Sequence, residues 1–238
     1  MTLDPRRAQM WQAMGLGPVW TLRDATPLTR EQRIARMDWS ELEQTALRCT
    51  ACELSATRKQ AVFGVGYRAA EWMLVGEAPG AEEDARGEPF VGQAGKLLDN
   101  MLASIGLSRS GATPQSVYIA NVLKCRPPGN RNPESSEVAQ CEPILKRQVV
   151  LVAPRLIVVM GRFAAQSLLG TDASIAALRG KVHSIEGDGR RIPVVVTYHP
   201  AYLLRDLAQK SKAWADLCFA RDVHRVDKAP TSSDATRR

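Results

Sequence analysis

The chain has 238 residues, of which 45% are hydrophobic and 24% charged, enough apolar side chain for one α/β domain with terminal extensions. Its formal net charge of +7 fits an anionic partner without requiring one. No apolar run approaches the roughly 18 residues of a membrane span, and residues 1–7 lack the apolar core of a signal peptide. We therefore expect a cytoplasmic protein without structural disulfides.

The first 40 residues contain two short helical patterns and no motif, so we expect residues 1–40 to form an N-terminal extension. Residues 38–48 are predicted as a helix, because apolar and small side chains recur there every three or four residues. The glycines at Gly64 and Gly66 superficially fit a dinucleotide-binding fingerprint. They precede a strand instead of following one, so we reject that function.

Four apolar runs are predicted as buried strands, at residues 72–75, 116–124, 156–160 and 194–197. Segments with helical spacing alternate with them. The helical signals are a stop at Gly106, an N-cap at Asn132 before Pro133, a break or bend at Pro143, the segment 161–169 and a last helix to about Val226. The fold class predicted from this order is α/β, a three-layer α/β/α sandwich around a four-stranded parallel sheet.

Two remaining segments complete the domain organisation. A basic segment around residues 179–191 is predicted as turns. The predicted domain spans residues 41–226, and the polar residues 227–238 are predicted to be a disordered tail.

The long segment between the first strand and the next helix is the most informative part of the chain. It is rich in glycine, proline and acidic residues and carries one aromatic side chain, Phe90. Ligands of α/β proteins bind where loops leave the carboxyl ends of parallel strands. The segments after Val75, Leu123 and Thr197 would all leave that edge, so we predict a site there instead of an ordinary surface loop.

Four of the five cysteines form a pattern typical of metal sites. Cys49 and Cys52 are separated by two residues, and Cys125 and Cys141 follow at a distance. Two distant cysteines can complete a shell of four thiolates, which fits either zinc or an iron–sulfur cluster. Buried cysteines without a metal are the structural alternative. Cys218 lies in the last predicted helix, where we expect it to pack in the core.

Two motifs resemble those of a known family. The first consists of Gly76-Glu77-Ala78-Pro79-Gly80, Glu83-Asp84, Gly87, Pro89-Phe90-Val91-Gly92 and Ala94-Gly95, and the second of Tyr198-His199-Pro200-Ala201. Together they resemble the motifs of the family 4 uracil-DNA glycosylases, the iron–sulfur branch of the uracil-DNA glycosylase superfamily. The resemblance covers about residues 48–219.

The resemblance implies an activity, a cofactor and a partner. The activity is monofunctional removal of uracil from single- or double-stranded DNA, which leaves an abasic site, and we expect the enzyme to be a monomer. The cofactor is a [4Fe–4S] cluster held by Cys49, Cys52, Cys125 and Cys141, with zinc as the less favoured alternative. The cluster would fasten the N-terminal helix and the Cys125 loop near the DNA surface.

The resemblance also implies roles for individual residues. The implied uracil-binding residues are Gly76, Ala78, Phe90, Asn121 and His199. Phe90 would stack on the base, and the Asn121 carboxamide offers both a donor and an acceptor to the uracil edge. His199 would donate to uracil O2 as negative charge develops there.

Glu77 is the second implied catalytic residue, as the group that positions a water or the sugar. The better-known branch of the superfamily has an activating aspartate where this chain has Ala78. Because alanine cannot activate water, the sequence leaves the origin of the attacking water open.

Contacts with DNA are predicted from charge and position. Candidates for phosphate contacts are Lys124, Arg126, Arg131 and Arg205. Leu203 and Leu204 are predicted to fill the gap left by the flipped base. Each such surface charge, taken alone, is more often simply solvated.

Three alternatives stay open on the sequence. Family X relatives trap uracil covalently through a histidine in the loop after the second strand, and this chain has no histidine between Leu123 and Cys141. Family 5 relatives differ in the first motif. A non-catalytic iron–sulfur DNA-binding or redox module would need neither Asn121 nor His199.

Overall fold

The computed structural model describes residues 5–16 and 27–228, and a sheet with four parallel central strands lies in the second of the chain's two units. The chain divides into two units, residues 1–33 and 34–238. Within the described ranges the strands are β1 (Val65–Gly66), β2 (Trp72–Gly76), β3 (Val117–Asn121), β4 (Leu156–Met160), β5 (Val182–Gly187) and β6 (Arg190–Thr197). They form one sheet in the order β1-β3-β2-β4-β6-β5.

The four central strands, β3, β2, β4 and β6, are parallel, which confirms the predicted parallel core. Every residue of β2, β3 and β4 is buried, because helices cover both faces of the sheet. Continuous burial explains why these strands appear in the sequence as uninterrupted apolar runs.

The predicted strand number was wrong, because two antiparallel edge strands were missed. β1 has only two residues and carries no recognisable pattern. β5 lies in the segment predicted as turns, and its polar residues His183, Ser184 and Glu186 break any apolar run. Edge strands of this kind need not be hydrophobic, because only part of their surface is buried.

Helices cover both faces of the sheet and occupy the connections. The α-helices of the described residues are α1 (Pro5–Ala13), α2 (Arg30–Ile34), α3 (Trp39–Leu47), α4 (Leu54–Thr57), α5 (Ala81–Arg86), α6 (Gln93–Ser104), α7 (Ser135–Val152), α8 (Arg162–Leu169), α9 (Ile175–Leu178), α10 (Pro200–Arg205) and α11 (Lys210–Lys228). Two 3-10 turns cover Pro128–Asn130 and Leu207–Gln209. None of these helices has the length and hydropathy of a membrane span.

Three predicted helix features need correction. The long binding loop contains a short helix, α5, whose first turn carries three acidic residues. α7 begins at Ser135 instead of Pro133, because the Glu137 carboxylate accepts a hydrogen bond from the Glu134 backbone N–H at 2.9 Å. α7 also continues unbroken through Pro143.

The remaining predictions concern α3, the last helix and the two ends of the chain. The α3 prediction is confirmed, with a capping box between Asp38 and Glu41. α11 continues to Lys228, and residues 229–238 of the predicted tail lie outside the described residues. Part of the predicted extension, residues 1–4 and 17–26, lies outside them as well.

Two apolar layers fill the space between the sheet and its helices. On one face Leu145 and Val149 of α7 pack against strand residues such as Met73 and Val75. On the other face Leu98 of α6 joins a cluster with residues of β2 and β4 and with Ala220 of α11. The two layers complete the predicted three-layer sandwich.

A buried ion pair ties the end of β6 to α11. Asp216 is 4% exposed and accepts two hydrogen bonds from the Arg179 guanidinium, at 2.7 and 2.9 Å. It also accepts a hydrogen bond of 2.8 Å from the Thr197 hydroxyl, in the last residue of β6. The guanidinium lies 4.5 Å from the ring centroid of Tyr198. This network therefore anchors the strand end from which the second motif leaves.

Asp216→Ala should lower the free energy of unfolding by about 3–5 kcal/mol, because it leaves the buried Arg179 charge without its partner. The control is Asp222→Ala on the same helix, whose exposed pair with Arg225 spans 3.8 Å. That change should cost less than about 1 kcal/mol. Chemical denaturation of both variants measures the difference, and equal losses would contradict the role of the buried pair.

Candidate active site

Three segments leave the carboxyl edge of the parallel strands and meet around one cavity of about 410 Å³. They follow Gly76 of β2, Asn121 of β3 and Thr197 of β6. The cavity is lined by Glu77, Ala78, Pro79, Gly80, Glu83, Phe90, Ala94, Asn121, Pro127, Asn130, Arg131, Asn132, His199, Ala201, Tyr202 and Arg205. Of the predicted uracil-binding residues, Ala78, Phe90, Asn121 and His199 thus share one cavity, whereas Gly76 does not line it. More than a hundred positions separate Phe90 from His199.

Phe90 forms an aromatic wall of this cavity. Its ring is stacked on the imidazole of His199, with 5.4 Å between centroids and 29° between planes. The side chain is 5% exposed and joins the apolar cluster that contains Leu98. Its backbone has a φ of 56°, in the left-handed region that bulky residues rarely adopt. Such a conformation costs about 1–3 kcal/mol and persists only where the surroundings impose it.

Three contacts impose that conformation on Phe90. The Glu83 carboxylate accepts a hydrogen bond of 3.1 Å from the Val91 N–H, while Arg109 donates one of 3.1 Å to the Pro89 carbonyl. A Cβ at Gly95 would overlap the Phe90 carbonyl, so α6 can approach this closely only with glycine there. Both neighbours of Phe90 are therefore fixed, and the helix packs directly on its backbone.

Asn121 contributes an amide group to the floor of the cavity. Its side chain is 2% exposed, and its Oδ1 is buried without a hydrogen-bond partner in the described part of the chain. An unsatisfied buried acceptor costs about 1–3 kcal/mol, so this atom is prepared for a donor on a ligand. Gly76 is its register partner on β2, and a Cβ there would overlap Oδ1 and lie 2.7 Å from Phe90 Cζ. The space for the amide therefore depends on glycine at position 76.

His199 faces Phe90 from the start of α10. Its Nδ1 accepts a hydrogen bond of 3.1 Å from the backbone N–H of Ala201, so the neutral ring carries its proton on Nε2. Burial lowers the pKa of His199 to about 4; the positive charge of Arg205 lowers it further, and Glu83 opposes the shift. The imidazole is therefore a neutral donor through Nε2 at physiological pH.

Glu77 follows Gly76 and lines the same cavity beside Ala78. Burial raises the pKa of Glu77, while the positive charge of Arg162 opposes the rise. Glu77 also lines a second cavity of about 490 Å³ between α7 and α8. It is thus a carboxylate of increased basicity at the boundary of two cavities, whereas Ala78 contributes no titratable group.

The four cysteines of the predicted metal site line one narrow cavity. Its cysteines are Cys49, Cys52, Cys125 and Cys141. The Arg58 guanidinium donates to Cys125 Sγ at 2.8 Å, and the Lys124 backbone N–H donates to Cys141 Sγ at 3.3 Å. Donors aimed at sulfur favour thiolates. The fifth cysteine, Cys218, is half-buried in α11 and does not line this cavity.

Burial disfavours the thiolate form of two of these cysteines. Burial raises the pKa of Cys141 to about 11, and burial also raises the pKa of Cys125. Among the described residues, no group of three or more His, Cys, Asp or Glu side chains is arranged to hold a single metal ion. A tetrahedral zinc ion would need its sulfur ligands about 3.8 Å apart, given a Zn–S distance of about 2.3 Å. Four thiols line one cavity, which is the ligand set that either zinc or an iron–sulfur cluster requires.

Comparisons with known proteins agree with this geometry. The sequence model of the uracil DNA glycosylase superfamily matches residues 63–218. A type-4 uracil-DNA glycosylase of Archaeoglobus fulgidus is 46% identical over 168 residues, which are 69% of this chain and 82% of that protein. One from Sulfurisphaera tokodaii is 44% identical over 169 residues, 69% of this chain and 74% of that protein. This chain belongs to the type-4 uracil-DNA glycosylases.

The family 5 alternative is a more distant relationship. A type-5 uracil-DNA glycosylase of Pyrobaculum aerophilum is 34% identical over 143 residues, which are 55% of this chain and 61% of that protein. The resemblance to family 4 inferred from the two motifs is therefore confirmed.

Two of the DNA contacts predicted for this type-4 glycosylase are wrong. Lys124 is 1% exposed, and its ammonium donates to the Asn121 carbonyl and to Gln148 Oε1, so it does not reach a phosphate. Burial lowers the pKa of Lys124 to about 8, while the nearby thiols of Cys141 and Cys125 oppose the shift. Leu203 is 1% exposed on the inner side of α10.

The other predicted DNA contacts lie near the opening of the cavity. Arg131 and Arg205 line it, and Leu204 is 42% exposed on α10. Arg131 also makes two hydrogen bonds with the Glu137 carboxylate, at 2.6 and 3.0 Å. Arg126 donates to the Asn130 side chain at 2.7 Å. Their contacts with DNA remain predictions.

Sequence reasoning missed the residues that hold the site of this type-4 glycosylase in shape. Glu83 lies three positions after Gly80, the spacing of a capping box, so a local signal existed. No local signal pointed to Arg109, because it follows α6 in the sequence and binds the Pro89 carbonyl about 20 positions before it. Tyr202, which lines the cavity, donates through its hydroxyl to Asp206 at 3.1 Å.

NMR titration of the His199 ring should show a neutral imidazole down to about pH 5, because its pKa lies near 4. Arg205→Gln should raise that pKa towards 6.5 by removing a positive charge, although burial keeps it below that value. In the unfolded chain His199 is protonated below about pH 6.5, whereas in the folded protein it is protonated only below about pH 4. The contribution of His199 to the free energy of unfolding is therefore lost as pH falls from about 6.5 to about 4. A wild-type ring that protonates near pH 6.5 would contradict the geometry described above.

Proposed function

We propose that this protein is a monofunctional uracil-DNA glycosylase of base excision repair, which hydrolyses the N-glycosidic bond of a flipped-out deoxyuridine. The observation that carries the proposal is the cavity that the Phe90 ring, the Asn121 amide and the His199 imidazole line together. Membership in the type-4 uracil-DNA glycosylases supports the same reaction.

Recognition of the base would rest on Phe90 and Asn121. Rotating a nucleotide out of the stack costs a few kcal/mol, and stacking on an aromatic ring returns about 1–3 kcal/mol. The unpaired Oδ1 of Asn121 would accept the N3–H of uracil, and its amide group would donate to O4. Cytosine presents the reverse pattern on that edge, so the same amide disfavours it. Gly76 keeps the base close to this amide.

Bond breaking would rest on His199. When the C1′–N1 bond breaks, its electron pair passes to N1, and the negative charge is shared with O2. The Nε2–H of the neutral imidazole would donate to O2 as that charge develops. A donor of this kind is worth about 3–4 kcal/mol in other enzymes.

A water then adds to C1′, and Glu77 is the residue proposed to orient it. Burial raises the pKa of Glu77, which makes its carboxylate a stronger acceptor for the proton that the water loses. Ala78 supplies no base. A path in which bond breaking precedes water attack needs only this limited help, because the sugar cation is already electrophilic.

The reaction would end at the abasic site. Strand cleavage by a glycosylase needs an amine that forms a Schiff base with the sugar, and no lysine lines the cavity within the described residues. Nor does the loop after β3, which lines the cavity through Pro127, Asn130, Arg131 and Asn132, provide the histidine of a covalent trap.

Incubation with a uracil-containing oligonucleotide should give a strand that breaks only after alkaline treatment, whereas a thymine oligonucleotide stays intact. His199→Ala should lower the excision rate about 100- to 1,000-fold, because a donor to the developing charge is lost. Asn121→Ala should lower it as well, through loss of base recognition. Quantified gel electrophoresis of the products measures all three rates.

The matched control is His183→Ala, a partly buried histidine outside the cavity that contacts the Leu178 carbonyl at 2.8 Å. It should excise uracil at the wild-type rate. An intact uracil strand with wild-type protein would overturn the enzyme function and favour a non-catalytic iron–sulfur module. Equal losses in the two histidine variants would overturn the assignment of His199.

We further propose that the four-cysteine cavity holds a [4Fe–4S] cluster. The support is the shared cavity of four thiols and the two N–H donors aimed at sulfur. When bound, the cluster would supply a rigid cross-link between the segments that carry these cysteines, and no step of the reaction passes through it. Uracil-containing DNA is the proposed partner, bound by a monomer.

Iron and acid-labile sulfide should be present in about equal amounts in anaerobically purified protein, with a visible absorbance band that chelators remove slowly. Cys141→Ser should lose most of that iron, because it removes a buried ligand. Cys218→Ser should keep it, since Cys218 lies outside the cavity. Stoichiometric zinc in place of iron would contradict the cluster.

A further inference from the structure

Lys124 lies between the cysteine cavity and the uracil pocket, and the reaction described above makes no use of it. It is 1% exposed and lines the cavity formed with the four cysteines. Its ammonium donates to the backbone carbonyl of Asn121 at 2.6 Å and to Gln148 Oε1 at 2.7 Å. A single buried side chain therefore contacts the strand end that carries the uracil-recognising amide.

The charge of this ammonium lacks a carboxylate partner. Both of its acceptors are neutral, and no ion pair joins Lys124 to an Asp or Glu within residues 5–16 and 27–228. An isolated buried ammonium is costly, so buried lysines are usually paired. The neighbouring groups that can carry negative charge are the thiols of Cys125 and Cys141. A thiolate-bound cluster would supply the missing counter-charge.

The contacts of Lys124 are rigid on both sides. Its backbone N–H donates to Cys141 Sγ at 3.3 Å. Gln148, which accepts from the ammonium, is fully buried and donates through Nε2 to the Phe63 carbonyl at 2.9 Å and to the Tyr118 hydroxyl at 3.1 Å. Because the Gln148 acceptor and the Cys141 sulfur are both held in place, Lys124 has little freedom to move. A displacement at the cysteine site would therefore also displace the Asn121 carbonyl that Lys124 binds.

We propose that Lys124 is a positioning residue that couples the four-cysteine site to the uracil pocket. Its positive charge balances the thiolate-bound group, and its bond to the Asn121 carbonyl fixes the end of β3, from which the recognising amide projects. This inference rests on the proposed function and on the proposed cluster.

Lys124→Met keeps an unbranched side chain, one atom shorter than lysine, and removes both the charge and the donor to the Asn121 carbonyl. The reduction potential of the cluster should become more negative, because a nearby positive charge that stabilises the reduced form is gone. In the same variant kcat for uracil excision should fall about 10- to 100-fold through a misplaced Asn121, with KM for DNA changed less than about threefold. Lys146→Met, an exposed lysine on α7, should change neither quantity.

Gln148→Glu tests the charge balance separately from the positioning of Asn121. It adds a negative charge beside the ammonium and keeps the acceptor for it, so the bond from Lys124 to the Asn121 carbonyl stays in place, while the donation to the Phe63 carbonyl is lost. The potential should again become more negative, while kcat stays within about threefold of wild type. This variant also carries the test if Lys124→Met does not fold.

An unchanged potential in either variant would overturn the charge balance. An unchanged kcat in Lys124→Met, with or without a raised KM, would overturn the positioning role. Because the potential is measured without DNA, a failure of the proposed activity is detected separately, by wild-type protein that leaves the uracil strand intact.

Discussion

The site depends on the close approach of three groups at the end of β2. Gly76 has no room for a Cβ, because the Asn121 amide and the Phe90 ring occupy the space that the Cβ would need. The ring can lie there only because its backbone is held in a left-handed conformation. Strain of this kind is stable only in a rigid frame. The buried strands beneath and the contacts of Glu83 and Arg109 above provide that frame, so recognition of a flat base depends on packing as much as on the polar groups.

The fold and the motif residues could largely be predicted from the sequence, for a physical reason. Strands buried on both faces, such as β4, must be apolar throughout, so they are visible as runs. β5 is partly exposed and carries no such signal. Glycine and proline mark the loop of the first motif because its backbone is unusual. The roles of Phe90, Asn121 and His199 came from the resemblance to family 4, and the parallel strands explain why segments so far apart in sequence meet at one edge.

The surroundings of each side chain could not be predicted from the sequence. Lys124 was assigned to the surface because its neighbours Arg126 and Arg131 are polar and basic, yet burial and two neutral acceptors make it an internal residue. Leu203 and Leu204 are adjacent in sequence and lie about 100° apart around α10, so that one is buried and the other exposed. The difference between them depends on where α10 packs, which is a property of the whole fold.

The ends of the sheet have a consequence for solubility. Long, flat edges of apolar strands template pairing between molecules. Here the apolar core strands are internal, and the outer positions are taken by a two-residue strand, β1, and by β5. In the β5–β6 hairpin Glu186 lies opposite Arg191, with charged groups exposed. The chain can therefore keep the buried apolar parts of its four parallel strands at the centre of the sheet, while the short or charged edge strands discourage strand pairing between two copies.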